Sequence, residues 1–293
     1  MPQPLPVRHI RVTAVRRLTP HMVRVTFGGP GLTDLRLHGP DQQVKLYFPR
    51  NGRQTPRLPE PGADGDVMRW YAAYSAIPEA ERPWMRSYTI RTHRPQDGEI
   101  DIDFVLHDDG GPATRWAAAA RRGDTLGMFG PSEYFAAHPP RGGTGSLLLA
   151  GDESALPSIG TLLEALPRSA RAVAFIEVPE RADEQSFATA AGVTVHWLHR
   201  HTGGGRPAAH GEPLVAAVRG ATFDDAPARA WLAGEAGAVR ALRRHLVEER
   251  GMTRRSVEFT GYWRARLTQD DAPTEEDLAE AQERLAEAPG ARD

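Results

Sequence analysis

In the stretch MRSYTIRTHR, Met85–Arg94, Arg86 and Tyr88 lie two residues apart in a run that reads as a β-strand, so both side chains leave one face. The type of each residue suggests a task. A strand arginine can clamp a phosphate bidentately, and a neighbouring tyrosine offers a flat apolar face for a ring. Together they suit a ligand that has both an anionic part and a ring, facing a site rather than an apolar core. The same alternation sends Thr89 and Arg91 to the other face, where Arg91 reads as solvated. Downstream, DDGGPATRWAAAA runs a glycine loop into a helix opened by Pro112 and closed by Gly123. Free backbone N–H groups at that helix start, with the Thr114 hydroxyl, make an anion site. A strand arginine and a helix start can therefore grip one pyrophosphate from two sides.

A second set lies further on. LLLAGDESALPSIG reads as a strand, a tight turn and a helix, and a dinucleotide could set its phosphates on that helix start. The GDES turn lacks the G-x-G-x-x-G spacing that lets a backbone approach pyrophosphate closely. Past the next strand, Glu177 suits a ribose diol and Arg181 a 2′-phosphate, which leaves NADH and NADPH both open. WLHRHTGGGRPAAHG contains His196, His199, His201 and His210. Alternation sends the first two to opposite faces and three glycines hold the rest loosely, so the histidines read as incidental rather than as a metal site. No G-x-S-x-G elbow and no H-E-x-x-H is present, which removes support for hydrolysis.

These residues need elements to position them. RHIRVTAVRRL, HMVRVTFGG, QQVKLYFP, RSYTIRT and EIDIDFVLH alternate as short strands between glycine and proline turns, which predicts an antiparallel β-barrel. Residues 50–84 form a proline-rich, aromatic excursion. After the linker HPPRGGTGS, the strands SLLLAGD, RAVAFIEVP, VTVHWLH, RAWLAGE and SVEFTGYW take turns with the helices ALPSIGTLLEAL and AGAVRALRRHLVEERG. That order predicts a doubly wound parallel sheet. The expected division is a barrel over 1–138, an α/β domain over 139–268 and an acidic C-terminal helix or tail over 269–293, with Leu278 and Leu285 on one stripe.

Composition narrows the chemistry. The chain has 293 residues, no cysteine and a formal charge of −2, with its 36 cationic residues spread along it and only Lys45 a lysine. Without cysteine, disulfides, thiolate metal sites and iron–sulfur clusters are excluded, so any redox chemistry needs an organic cofactor. The dispersed arginines argue against nucleic acid as a partner. No apolar run approaches the roughly 20 residues of a membrane span and MPQPLPVRHI lacks a signal region, so the expectation is a cytoplasmic protein without membrane insertion.

RSYTIR, DFVLH, GGPATRWA, GPSEYF, LAGDESALPSIG and GYWR, in this order, resemble the siderophore-interacting protein family, the FAD-dependent ferric-siderophore reductases of the ferredoxin reductase-like superfamily. The resemblance runs from about Arg8 to Arg264. It implies an FAD-binding barrel and an NAD(P)-type domain, with Arg86, Ser87, Tyr88 and Thr89 as the strand motif. Arg86 would pair with the FAD phosphates, Tyr88 would lie against the cofactor, and Thr89 would approach flavin N5. It further implies Asp103, Val105 and His107 along the cofactor, and Gly111, Ala113 and Thr114 at its pyrophosphate. Gly151, Asp152, Glu153 and Ser154 would face the electron donor, NAD(P)H or reduced ferredoxin. Lys45 and Arg264 would attract an anionic ferric siderophore, with Tyr262 and Trp263 covering the flavin or nicotinamide. After Arg264 the chain reads ARL where the family continues with a basic residue and glycine. No metal ligand and no protein acid or base is required. Two rival readings remain open, a general NAD(P)H:flavin or quinone reductase and a non-catalytic iron-chelate binder.

Overall fold

The computed structural model describes residues 7–50, 52–60, 62, 65–107, 110–131, 146–201, 207–223 and 226–265. The expected tail over 269–293, the end of GPSEYF and the 138/139 boundary lie outside them. The first unit contains strands β1 (Val7–Thr19), β2 (Met22–Gly28), β3 (Gln43–Phe48), β4 (Trp84–Thr89), β5 (Thr92–Arg94), β6 (Glu99–Val105) and β7 (Thr125–Phe129). They form one antiparallel sheet in the order β4-β3-β7-β1-β2-β6-β5. Its two edges, β4 and β5, are separated in the chain only by Ile90 and Arg91, so the sheet must curl until its edges nearly meet. The Arg91 N–H donates to the Asp101 carbonyl at 2.8 Å and ties the connection between them to β6. The expected barrel is thus a curled, half-open one.

Alternation decides its inside. Ile100, Ile102 and Phe104 of β6 are fully buried with Val25, Phe27, Leu46 and Phe48. The interleaved Asp101 and Asp103 turn to the opposite face, where Arg94 and Arg24 cover them. Helix α2 (Pro112–Ala119) closes the barrel mouth with Ala113, Ala117 and Trp116 on the same core, and it ends one turn before Gly123. The excursion between β3 and β4 contains a helix that its prolines conceal in the sequence, α1 (Val67–Ser75), capped by Asp66. Trp70 and Tyr74 of α1 pack on Tyr47 and cover the barrel's outer wall.

The second unit contains β8 (Leu147–Gly151), β9 (Arg171–Val178), β10 (Gly192–His199), β11 (Arg229–Glu235) and β12 (Val257–Trp263), all parallel in the order β10-β9-β8-β11-β12. β8 is buried along its whole length, as a central strand covered on both faces must be. Leu147 and Leu149 meet α3 (Leu156–Ala165) on one face. Leu148 and Ala150 meet α4 (Glu212–Gly220) and α5 (Ala236–Arg244) on the other. α5 passes into a π-helical turn over His245–Glu249 where the sequence predicted one continuous helix. Met22, the first residue of β2, is 2% exposed within the α3-side core, so the two units share apolar packing. Burying such a side chain contributes about 2 kcal/mol. Among the described residues no helix is long and apolar enough to cross a membrane.

Candidate functional site

β4 is an edge strand of its sheet, paired on one side only, with β3. Arg86 and Tyr88 lie opposite Leu46 and Val44 of β3 and share their inward face. Tyr88 is drawn onto the barrel's aromatic core, 4.5 Å from the Phe104 ring and 6.2 Å from that of Phe48, instead of standing clear of it. Trp116 of α2 lies against Phe48 and Phe104 as well, so the strand motif and the helix meet over one aromatic floor. At the helix start Gly111 is the N-cap, with no side-chain cap bond, and Pro112 brings no N–H. A Cβ built on Gly111 would meet no atom within 4 Å. The Ala113 and Thr114 amides therefore lie at an open helix start, and Thr114 Oγ1 sits 3.5 Å from His107 Nε2. An anion with an attached ring fits this arrangement of donors and flat groups.

The other face of β4 meets the second unit. Thr89 is 7% exposed, and its Oγ1 lies 2.6 Å from Ser158 Oγ of α3 and 3.4 Å from Asp41 Oδ1. Ser158 Oγ lies 3.1 Å from the Tyr262 hydroxyl of β12. Tyr262 donates to Asp41 Oδ1 at 3.2 Å and accepts from Gln43 Nε2 at 3.1 Å. Five polar side chains from the loop before β3, β3 itself, β4, α3 and β12 thus converge between the units. Burial pushes the Asp41 carboxyl up to about 6 and the Tyr262 hydroxyl well above its ordinary range. Asp41 has φ 56°, a left-handed conformation for which Asp and Asn carry the smallest penalty after glycine. Its N–H donates to Thr161 Oγ1 of α3 at 2.9 Å, which ties the turn to the helix.

Lys45 lies two residues beyond Gln43 on β3, and Arg264 follows the end of β12, two residues past Tyr262. One step of alternation places Lys45 on the face of Gln43. Lys45 Nζ donates to Ser87 Oγ at 3.4 Å, and partial burial lowers its pKa. Arg91, expected in solvent, is 12% exposed and paired bidentately with Glu164 of α3 at 2.7 and 2.6 Å. It is an interdomain clasp that strand periodicity cannot reveal. Asp103 is held bidentately by Arg24 at 2.6 and 2.7 Å, and Val105 packs toward the second unit's core.

Gly151 and Asp152 end β8, at the point where strand order reverses between β8 and β11, the usual place for a ligand crevice. Here Asp152 fills it. Asp152 is 2% exposed and accepts from the Ser154 N–H and hydroxyl, from the Glu235 N–H at 2.7 Å and from Trp263 Nε1 at 2.8 Å. Burial, reinforced by Glu153, raises its pKa. Gly234 has φ 135° and passes so close that a Cβ there would stand 2.6 Å from the Asp152 carboxylate. Glu153 is paired with Arg200 at 2.6 and 2.7 Å. Glu177, read from sequence as a ribose-diol acceptor, is fully buried instead. It accepts from the Gly211 and Leu214 amides at the start of α4, and from Arg200.

The histidines do not converge. His196 stacks on Phe175, His199 pairs with Glu184 and His210 meets Trp263 edge-on. Asp41, Gln43 and Ser158 were missed by sequence reasoning. Only Asp41 carries a local signal, the turn GPD, and no short motif links it to Thr89.

A barrel whose strand motif and helix start face one another, joined to a parallel α/β unit through a polar cluster, corresponds to two family models. The siderophore-interacting FAD-binding domain matches residues 11–135, and the siderophore-interacting protein model matches residues 144–266. The chain belongs to the siderophore-interacting protein family. An uncharacterized protein of Mycobacterium tuberculosis is 36% identical to this family member over 275 residues, 90% of this chain and 93% of that protein. Ferric vibriobactin reductase ViuB of Vibrio cholerae is 30% identical, covering 83% of this chain and 84% of its own length. Among solved structures, a siderophore utilization protein from T. fusca superposes with a TM-score of 0.75 at 35% identity, covering 92% of this chain and 97% of that one. This family member is accordingly an oxidoreductase whose barrel is an FAD-binding domain.

Proposed function

We propose that the protein reduces ferric iron held in a siderophore, using FAD bound along β4 and the start of α2, and so releases Fe(II). The observation that carries this reading is the convergence of Thr89, Ser158, Tyr262, Asp41 and Gln43 between the two units, with Lys45 one strand step from Gln43. Arg86 and the Ala113 and Thr114 amides would hold the FAD pyrophosphate, and Tyr88 would lie against the cofactor's flat portion. FAD held there would supply the conversion from paired to single electrons that one-electron reduction of iron requires. Lys45 and Arg264 draw an anionic ferric chelate toward the junction. Hard oxygen ligands hold Fe(III) far more tightly than Fe(II), so reduction alone loosens the chelate. The hydroxyls of Thr89, Ser158 and Tyr262 form a hydrogen-bonded chain that ends on the Asp41 carboxyl, whose raised pKa lets it hold a proton at the junction.

For the donor, the Asp152 plug favours reduced ferredoxin over a nicotinamide dinucleotide. A pyrophosphate at this crevice would meet two carboxylates instead of bare backbone amides. The test is an anaerobic titration of the FAD-loaded protein with NADH, NADPH and reduced ferredoxin in turn, followed by turnover of a ferric siderophore. The reading expects flavin bleaching with reduced ferredoxin and Fe(II) release. Protein that takes up no FAD would overturn it. Rapid reduction of free flavins or quinones without ferric-chelate turnover would establish the general reductase instead. Tight chelate binding by a FAD-free Arg86→Ala protein would establish a binder.

A further inference from the structure

The turn between β1 and β2 carries His21, and the segment after β9 carries Glu180 and Asp183. These residues come from different units, yet one ligand atom from each lies within 4.8 Å of the others. His21 Nδ1 is 2.8 Å from Asp183 Oδ2, and the His21 N–H donates to Asp183 Oδ1 at 3.0 Å. Asp183 is 3% exposed. The Glu180 carboxylate has no partner among the described residues, and no Arg or Lys pairs with either acid there. Arg17, the cation on the same hairpin, is turned to the carbonyls of Thr19 and Pro20. Two carboxylates, one of them buried and the other half-buried, thus share one imidazole with no arginine or lysine paired to them among the described residues.

A second observation is independent of that charge. Thr19 is 8% exposed, its Oγ1 is buried without a hydrogen-bond partner, and it lines the same narrow cavity as His21 and Asp183. A buried hydroxyl without a partner costs about 1–3 kcal/mol. An ion held by His21 and Asp183 would lie along the same lining as that hydroxyl.

We propose that His21, Glu180 and Asp183 form a binding site for a divalent first-row transition metal that bridges the two domains, with Thr19 Oγ1 facing it. One imidazole among oxygens suits Mn(II), Fe(II) or Zn(II) better than Mg(II) or Ca(II), which take oxygen ligands alone. An ion about 2.1 Å from each atom needs them no more than about 4.2 Å apart, so shifts below an ångström complete the site. The His21 imidazole would bind as a neutral ligand, and Asp183 would exchange its contact with His21 for the metal. The ion becomes an interdomain staple, separate from the Thr89–Asp41 cluster and independent of the reaction proposed above.

The test is calorimetric titration of the FAD-loaded protein with Zn(II) and with Mn(II), compared with the variants Glu180→Gln and His21→Ala. Glu180→Gln is the decisive variant, because Glu180 makes no side-chain contact that the fold depends on. One ion per chain in the wild type, with affinity at least ~10-fold weaker in Glu180→Gln and weaker still in His21→Ala, is the expected result. Absence of binding at millimolar ion, or equal affinity in wild type and Glu180→Gln, overturns the proposal. Binding is read directly, so neither outcome depends on ferric-chelate turnover.

Discussion

Replacing Asp41 by Asn tests the buried cluster through its dependence on pH. Asn tolerates the φ of 56° and keeps an oxygen for the Tyr262 and Thr89 hydroxyls, so the turn and the packing persist. What the variant removes is an ionisable group that burial pushes from 3.8 to about 6. Because the folded chain holds this proton more tightly than the unfolded chain, the acid's contribution is fully present below pH 3.8. It is lost as pH rises to about 6. A shift of about two units at about 1.4 kcal/mol each amounts to roughly 3 kcal/mol of strain carried by the ionised wild type at pH 8. Urea unfolding of the flavin-free wild type and Asp41→Asn across this range should therefore show the variant gaining on the wild type by about 3 kcal/mol between about pH 4 and pH 8. Any constant offset reports the altered hydrogen bonds and not the titration. A difference between the two proteins that stays level within about 0.5 kcal/mol across the range would refute the reasoning.

Arg86→Ala should weaken FAD binding roughly 10- to 100-fold, the worth of charge-assisted hydrogen bonds to phosphate, and flavin fluorescence titration reads it directly. An unchanged dissociation constant would move the pyrophosphate elsewhere. Arg91→Ala and Glu164→Gln, combined in a double-mutant cycle, should couple by about 1–2 kcal/mol in unfolding free energy, and strictly additive losses would show that the clasp holds nothing. Glu177→Gln leaves Arg200 and two helix amides competing for a neutral group and should cost about 2–3 kcal/mol, measured as a lowered urea midpoint with an unchanged slope. Lys45→Ala and Arg264→Ala should raise KM for an anionic ferric siderophore and flatten its salt dependence, while turnover of a neutral acceptor keeps its rate. Equal effects on both acceptors would remove the steering role.

The two-unit architecture was legible because period-2 alternation in IDIDFV and the unbroken apolar run LLLAG demand different surroundings, one face buried against two. The start of α2 was legible too, since a glycine loop followed by Pro112 is a local signal for a helix N-terminus. Helix α1 was hidden because residues 50–84 read as a loop, although Trp70 and Tyr74 gain enough from packing on Tyr47 to form it. Arg91 shows the general limit. Alternation correctly gave its face, but whether that face meets water or Glu164 depends on where the second domain docks.

By itself, then, the sequence determined which faces are apolar, where most strands and three of the helices fall though not β7, α1 or α4, and that redox chemistry without cysteine needs an organic cofactor. These are properties of residue type and short-range spacing. Only the tertiary structure decided that Thr89, Ser158, Tyr262 and Asp41 form one buried cluster, that Asp152 fills the crevice at the strand-order reversal, and that His21 stands beside Asp183. Thr89 and Ser158 are 69 residues apart, and His21 and Asp183 are 162 apart. Such pairs are chosen by how the barrel and the parallel sheet pack together, and no local periodicity encodes that docking.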